Sequence, residues 1–150
     1  LAGMQDLVRR TLGASIEVEA ELAPDAWSVY VDAGQLENSV LNLVINARDA
    51  MPGGGRVTLS SANVAFAEDD PSRHPKLAPG EYVEVAVRDT GPGMPVEVVK
   101  RAFEPFFTTK DVGKGTGLGL SMVYGFAEQS GGVATIASGP GRGTRVSLYF

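Results

Sequence analysis

Residues 113–119, Gly-Lys-Gly-Thr-Gly-Leu-Gly, put a glycine at every second position just ahead of an apolar-periodic stretch. Glycines at that density carry too high an entropic cost for a strand or a helix interior. They suit a loop whose backbone comes close to another molecule. Over 120–130, Leu120, Val123, Tyr124 and Ala127 recur at helical spacing, and Gly131 and Gly132 end the stretch as a C-cap does. A glycine loop entering a helix N-terminus offers free N–H groups and the positive end of a helix dipole, a combination that binds phosphate. Taken alone, the pattern fits a flexible loop before a surface helix equally well.

Two further groups have chemistry in reach. In a helix expected over 33–51 and capped by Asp32, the residues Leu36, Val40, Leu43, Val44, Ala47 and Met51 share one arc. Gln35, Asn38, Asn42, Asn46 and Asp49 form a separate polar stripe. Asn is a poor helix former, and amides beside buried surface need partners. Asn42 and Asn46, one turn apart, can turn their oxygens to a ligand or a metal; a solvated polar face is the plainer alternative. Over 81–89, Val83, Val85 and Val87 point one way, and Asp89 falls on that same apolar side. A carboxylate there is either a turn cap before Gly91 or an acceptor placed in a pocket. Gly91 and Gly93 let backbone approach a planar ligand beside it. Phe103, Phe106 and Phe107, between the two glycine loops, are either core or the anchor of a movable lid.

The elements that must position these groups read as follows. A short amphipathic helix is expected over 1–12, strands over 15–21 and 27–31, and a strand over 56–64 after the helix stop at 52–55. A polar, proline-broken loop spans 65–79, and a short helix begins at 95–101. Strands over 132–138 and 145–150 flank a hairpin turn, Gly-Pro-Gly-Arg-Gly, at 139–143.

The whole chain narrows the options. Its 150 residues suffice for one domain with a real core. A net charge of −5 argues against nucleic acid as the main ligand. There is no cysteine, hence no disulfide or thiolate chemistry, and this fits a reducing compartment. His74 is the single histidine and sits among Asp, Pro, Ser and Lys, which disfavours a zinc site or a Ser–His triad. No apolar run reaches membrane-span length. The start at Leu1 suggests a piece of a longer chain.

Four stretches occur in fixed order: Asn-Leu-Val-Ile-Asn (42–46), Asp-Thr-Gly-Pro-Gly (89–93), Phe-Glu-Pro-Phe-Phe (103–107) and Gly-Lys-Gly-Thr-Gly-Leu-Gly (113–119). Together they resemble the N, G1, F and G2 boxes of the ATP-binding catalytic domain of sensor histidine kinases. That domain belongs to the GHKL ATPase superfamily, which also holds gyrase, the mismatch-repair ATPases and a heat-shock chaperone. The resemblance covers the chain from Gly13 onward, and four boxes in order are a specific signal. The run 103–110, followed by Gly-Leu-Gly-Leu-Ser-Met-Val-Tyr-Gly, is most similar to hybrid or nitrogen-regulator kinases.

The resemblance implies a fold and a set of roles. The fold would be an α/β (α+β) two-layer sandwich of Bergerat type, with a mixed, mainly antiparallel five-stranded sheet under three helices. Residues 13–150 would be the ATP-binding domain. Residues 1–12 would be the C-terminal remnant of an upstream helical domain, or a linker. ATP is the implied substrate, ADP its product and Mg²⁺ the metal. Asp89 would accept from the adenine amino group, with Gly91 and Gly93 shaping that end. Asn46 would hold Mg²⁺, and Asn42 would add a metal or phosphate contact. Gly113, Gly115, Thr116, Gly117, Leu118 and Gly119 would face the phosphates and Lys110 the γ-phosphate, with Phe103, Phe106 and Phe107 anchoring the lid. Asn42 and Lys110 are the catalytic candidates. Many kinases carry a basic residue three positions after the metal Asn. Here that position is Asp49, counted with the nucleotide set, and Arg48 precedes it, so the phosphate-assisting cation is left open.

The hydrolytic relatives carry Glu as water-activating base where this chain has Asn42. An amide takes no proton, so transfer is favoured over hydrolysis. The implied acceptor is a histidine on an upstream dimerisation domain, with relay to a response-regulator receiver aspartate. His74, inside a loop, is a poor acceptor. The expected location is the bacterial cytoplasm, in a kinase that is soluble or membrane-anchored elsewhere, with no membrane or nucleic-acid contact by this domain. The alternatives are an ATPase clamp or chaperone of the same fold, or a regulatory module without kinase activity. A dinucleotide second messenger is a further candidate ligand of the nucleotide face.

Overall fold

A computed structural model describes residues 1–109 and 117–150. After a single 3-10 turn, Ala2–Met4, the elements run α1 (Gln5–Leu12), β1 (Ile16–Leu22), α2 (Ala33–Ala50), β2 (Gly55–Phe66), β3 (Gly80–Asp89), α3 (Val96–Val99), α4 (Gly119–Gln129), β4 (Val133–Ser138) and β5 (Thr144–Tyr149). The five strands form one sheet in the order β1-β2-β3-β5-β4. Only β1 and β2 are parallel, as a β-α-β crossover through α2 requires; the other pairs are antiparallel. This is the mixed, mainly antiparallel sheet that the sequence suggests, with α1, α2 and α4 over one face.

The core lies between those helices and the sheet. Val57 and Leu59 of β2, Val83, Val85 and Val87 of β3, and Val146 and Leu148 of β5 form its floor. Val40, Leu43, Val44 and Ala47 of α2, with Val123 and Ala127 of α4, close it from above. The apolar arc of α2 is therefore the buried one, as its spacing predicts. Leu41 and Ile45, apolar residues beside this arc, are only half-buried. Asp32 caps α2 by accepting from the Gln35 amide at 2.9 Å. The opposite face of the sheet is polar, with Arg56 paired to Glu17 and Glu19. At one end, however, Phe66, Tyr82 and Tyr149 cluster with Leu77 and Val133 beneath the 67–79 loop.

One expected strand does not form. Residues 27–31 have no strand conformation, and Tyr30 is fully exposed. Pro24 has no N–H to give a ladder, and the turn after β1 lifts the chain off the sheet edge. Asn63 takes over with its side chain, accepting from the Trp27 amide at 2.8 Å and donating to the Asp25 carbonyl at 3.0 Å. The alternation of Trp27, Val29 and Val31 thus marks no ladder.

Helix α1 is built into the same core. Met4, Val8 and Leu12 are buried there, and Arg48 of α2 donates to the Thr11 carbonyl at 3.3 Å. Leu12→Ala should therefore cost about 2–5 kcal/mol in denaturant unfolding. A loss below about 0.5 kcal/mol, the level of an ordinary surface change, would mean that α1 is only loosely attached.

Candidate functional site

Asp89 is the last residue of β3 and lies in one row with Val57 of β2 and Thr144 of β5. The strand's alternation carries it onto the core face, where it is only 8% exposed. Its Oδ1 accepts from the Gly91 amide at 2.9 Å, and the Thr144 backbone amide, opposite it on β5, also helps to hold its pKa down. Burial raises the pKa of Asp89 above the ordinary carboxylate value, and the two backbone donors only partly offset this. A carboxylate kept here despite the desolvation is available as an acceptor.

The loop after Asp89 lies against the C-terminal end of α2 on one side and the β4–β5 turn on the other. A Cβ on Gly91 would stand 3.0 Å from Asp89 Oδ1 and 3.2 Å from Met51 Cγ. Gly93, with φ of +72°, admits no side chain, because a Cβ would come 1.9 Å from the Gly139 carbonyl oxygen. Gly143 is as constrained, 2.1 Å from the Asp89 carbonyl oxygen by the same measure. Thr90 anchors the loop to β2 through the Arg56 amide at 3.0 Å.

The α2 stripe runs from this wall toward α4. Asn42 and Asn46 are half-buried, whereas Gln35 and Asn38 are exposed. The Asn46 side-chain amide lies 3.8 Å from where a Cβ on Gly119 would stand. Gly119 is the first residue of α4, whose N-cap position, Leu118, supplies no side-chain cap. Asn46 of the amide stripe thus lies beside the first turn of α4. Gly117, at φ of +72°, packs its backbone directly on Phe106, whose amide donates to the Gly117 carbonyl at 3.0 Å. Phe106 itself has a φ of 65°, unusual for a non-glycine residue, and is 74% exposed.

The other aromatics separate. Phe103 packs on Tyr124 of α4 with ring centroids 5.0 Å apart, and Phe107 lies under the Arg101 guanidinium at 4.4 Å. Asp49 pairs with Arg48 at 3.4 Å, and Arg48 also reaches α1, away from Gly119. His74 is in the 67–79 loop, where its Nδ1 accepts from the Lys76 amide. Lys110, Gly113, Gly115 and Thr116 lie outside the described residues. Gly119 lies beside Asn46 and Gly91 against the end of α2, whereas Gly93 packs on the β4–β5 turn. Sequence reasoning missed Met51, Ser138, Gly139, Gly143 and Thr144 as parts of this wall. The one available signal was that β5, once paired with β3, sets Thr144 opposite Asp89.

Among the described residues no cluster of three or more His, Asp or Glu could hold a metal. The donors present are amide oxygens, hard ligands few in number. They fit a cation that keeps most of its water and takes further oxygens from a bound phosphate chain.

The family described as histidine kinase-, DNA gyrase B-, and HSP90-like ATPase matches residues 31–150. Sensor kinase CckA of Brucella abortus is 46% identical over 150 residues, covering 100% of this chain and 16% of that protein. Sporulation kinase A of Bacillus subtilis is 38% identical, covering 82% of this chain and 18% of its own length. The chain therefore spans less than a fifth of these two relatives. Among solved structures, the mycobacterial sensor histidine kinase MprB superposes with a TM-score of 0.73 at 26% identity, covering 98% of this chain and 93% of that one. The nucleotide-free catalytic domain of histidine kinase ThkA gives 0.71 at 25% identity, covering 99% and 85%.

The Asp89 environment generates a stability prediction. A group whose folded pKa lies above its unfolded value loses its stabilising contribution as pH rises through the folded pKa. Asp89→Asn keeps an acceptor for the Gly91 amide and removes the desolvated charge. Its melting temperature should exceed that of the unsubstituted chain at pH 7, by about 2–4 °C per kcal/mol relieved. The gap should close as pH falls toward the raised Asp89 pKa. Thermal unfolding followed by circular dichroism between pH 4.5 and 7.5 reads this directly. A less stable variant at pH 7 would show that the carboxylate is there for structure.

Proposed function

The chain belongs to the histidine kinase-, DNA gyrase B-, and HSP90-like ATPase family, and from that membership we propose that it is the ATP-binding catalytic domain of a two-component sensor kinase. In this reading it holds Mg-ATP and passes the γ-phosphoryl group to a histidine on a separate helical domain, for relay to a response-regulator aspartate. One observation carries the reading: the Asn46 side-chain amide lies beside the start of α4 at Gly119, directly after the glycine-rich stretch. About one turn further on, the C-terminal end of α2 meets Gly91 beside Asp89.

Each described residue then has a task. The Asp89 carboxylate accepts from the adenine amino group, with Gly91 and Gly93 giving that end its shape. Asn46, assisted by Asn42, would hold Mg²⁺, which neutralises charge on the phosphate oxygens. Backbone N–H groups from Gly117, Leu118 and Gly119, at the start of α4, would donate to those oxygens. Phe107, clamped by Arg101, borders the phosphate end. Lys110, Gly113, Gly115 and Thr116 are proposed on their motif positions alone. Asp49 is proposed at the margin of the nucleotide site, with Arg48 drawn off toward α1. Phosphoryl transfer needs positioning and charge neutralisation more than a covalent protein group, and this set supplies both.

Asn42 cannot act as a general base, which favours transfer over hydrolysis and disfavours the clamp-ATPase alternative. His74 lies in a loop bonded to its own neighbour, so the acceptor histidine is supplied in trans. The 1–12 segment is proposed as the tail of that acceptor domain, its last turns serving as the third helix of this one. Among the described residues no helix is long and apolar enough to cross a membrane. We place the domain in the cytoplasm, in line with its substrate.

Calorimetric titration with ADP and a non-hydrolysable ATP analogue, with and without Mg²⁺, tests the reading. Binding should be micromolar to submillimolar. Asp89→Asn should weaken ADP about tenfold or more, because a hydrogen bond to a charged group is worth about 1.5–3 kcal/mol. Affinity for ADP should fall as pH drops through the raised Asp89 pKa, since protonation removes an acceptor. Asn46→Ala should abolish the Mg²⁺ dependence while retaining most of the metal-free ADP affinity. Unchanged ADP binding by Asp89→Asn would sink the base-pocket assignment, and an unchanged Mg²⁺ dependence in Asn46→Ala would sink the metal assignment.

A further inference from the structure

Ser138, the last residue of β4, is a junction between the two loops that enclose Asp89. Its Oγ accepts from the Met94 amide at 2.9 Å and donates to the Gly143 carbonyl at 2.9 Å. The Thr144 hydroxyl lies 2.9 Å from the same oxygen. A serine hydroxyl has one proton and two lone pairs. With its proton on Gly143, the Thr144 hydroxyl must be the donor, and the capacity of Ser138 is then filled. Thr144 in turn stands opposite Asp89 in the β3–β5 pairing. A continuous path thus runs from the 91–94 loop, through Ser138 and Thr144, to the residue that carries the acceptor oxygens.

The surroundings make this path tight. The Gly141 amide donates to the Pro92 carbonyl at 2.7 Å, a second tie between the same loops. Gly93 sits on the Gly139 carbonyl and Gly143 on the Asp89 carbonyl, closer than any Cβ tolerates. Backbone stacked on backbone leaves no side chain to take up slack. The hydroxyl of Ser138 is the described side-chain group that bonds to both loops at once.

We infer that Ser138 is a positioning residue for the base pocket: it holds the 91–94 loop against the 139–143 turn and so sets the orientation of Asp89 through Thr144. The inference rests on the adenine role proposed for Asp89. It concerns specificity, since a carboxylate held in one orientation rewards a base that carries an amino group. A loosened carboxylate loses that discrimination before it loses the phosphate contacts at α4.

The test compares ADP with inosine diphosphate, which lacks the amino group, by calorimetry on the wild type, Ser138→Ala and Ser138→Thr. Calorimetry reads the dissociation constant separately from the folded fraction. The wild type should prefer ADP clearly. Ser138→Ala should weaken ADP about tenfold, equivalent to one lost hydrogen bond, and inosine diphosphate less than about twofold, so the preference collapses. Ser138→Thr, which keeps the hydroxyl, should restore it. A merely structural role would lower the folded fraction and leave the ratio of the two affinities alone. Should Ser138→Ala fail to fold, Thr144→Val, which removes the hydroxyl donated to Ser138, gives the same comparison. A wild type without ADP preference overturns the adenine reading and this inference with it. A preference retained in the hydroxyl-deleted variant overturns the role of Ser138 alone.

Discussion

A desolvated carboxylate is the constraint on which the rest of this domain turns. Asp89 ends an otherwise apolar strand face and is carried by its register into the edge of the core. A charge so placed is costly unless hydrogen bonds reach it. The Gly91 amide of its own turn does, and Thr144 stands opposite on the neighbouring strand. These neighbours belong to different parts of the chain, so the surroundings of the carboxylate depend on β5 lying next to β3. The sheet order is therefore a condition of the site.

Helix α2 is the second constraint, because it is both core and site. Burial of Val40, Leu43, Val44 and Ala47 sets its rotation about its own axis. The valine and leucine side chains each contribute about 1.5–3 kcal/mol when removed from water. With the rotation set, the Asn stripe has only one direction to face, and α4 meets it there at Gly119. In the proposed function, amides on this stripe would give oxygens to a partly hydrated cation and N–H groups to phosphate oxygens, yet they take no proton. In that reading this property favours phosphoryl transfer to an acceptor over transfer to water.

Glycine does different work at different places. At Gly93 and Gly143 its lack of a side chain lets two loops touch through backbone alone. Contacts of that kind have little compliance, so the polar side chains joining the same loops carry an unusual share of the geometry. Ser138 and Thr144 are such side chains, and neither belongs to the motif stretches. The resemblance names the groups proposed to touch a ligand, whereas the packing shows which side chains hold the loops around them.

What the sequence by itself determined was local or periodic. The α2 arc, the Asp32 cap, the valine face of β3 with Asp89 on it, and the helix after the glycine loop all follow from spacing within a few turns or residues. The four ordered motifs carried the family in the same way. Only the tertiary structure decided which distant groups meet. It left 27–31 outside the sheet because Asn63 bonds that backbone through its side chain. It drew Arg48 to α1, placed α1 in the core, and set Ser138 and Thr144 behind Asp89. The physical reason is range. Periodicity reports which face of an element avoids water, but a hydrogen bond between residues dozens of positions apart exists only once the sheet order has brought their strands together.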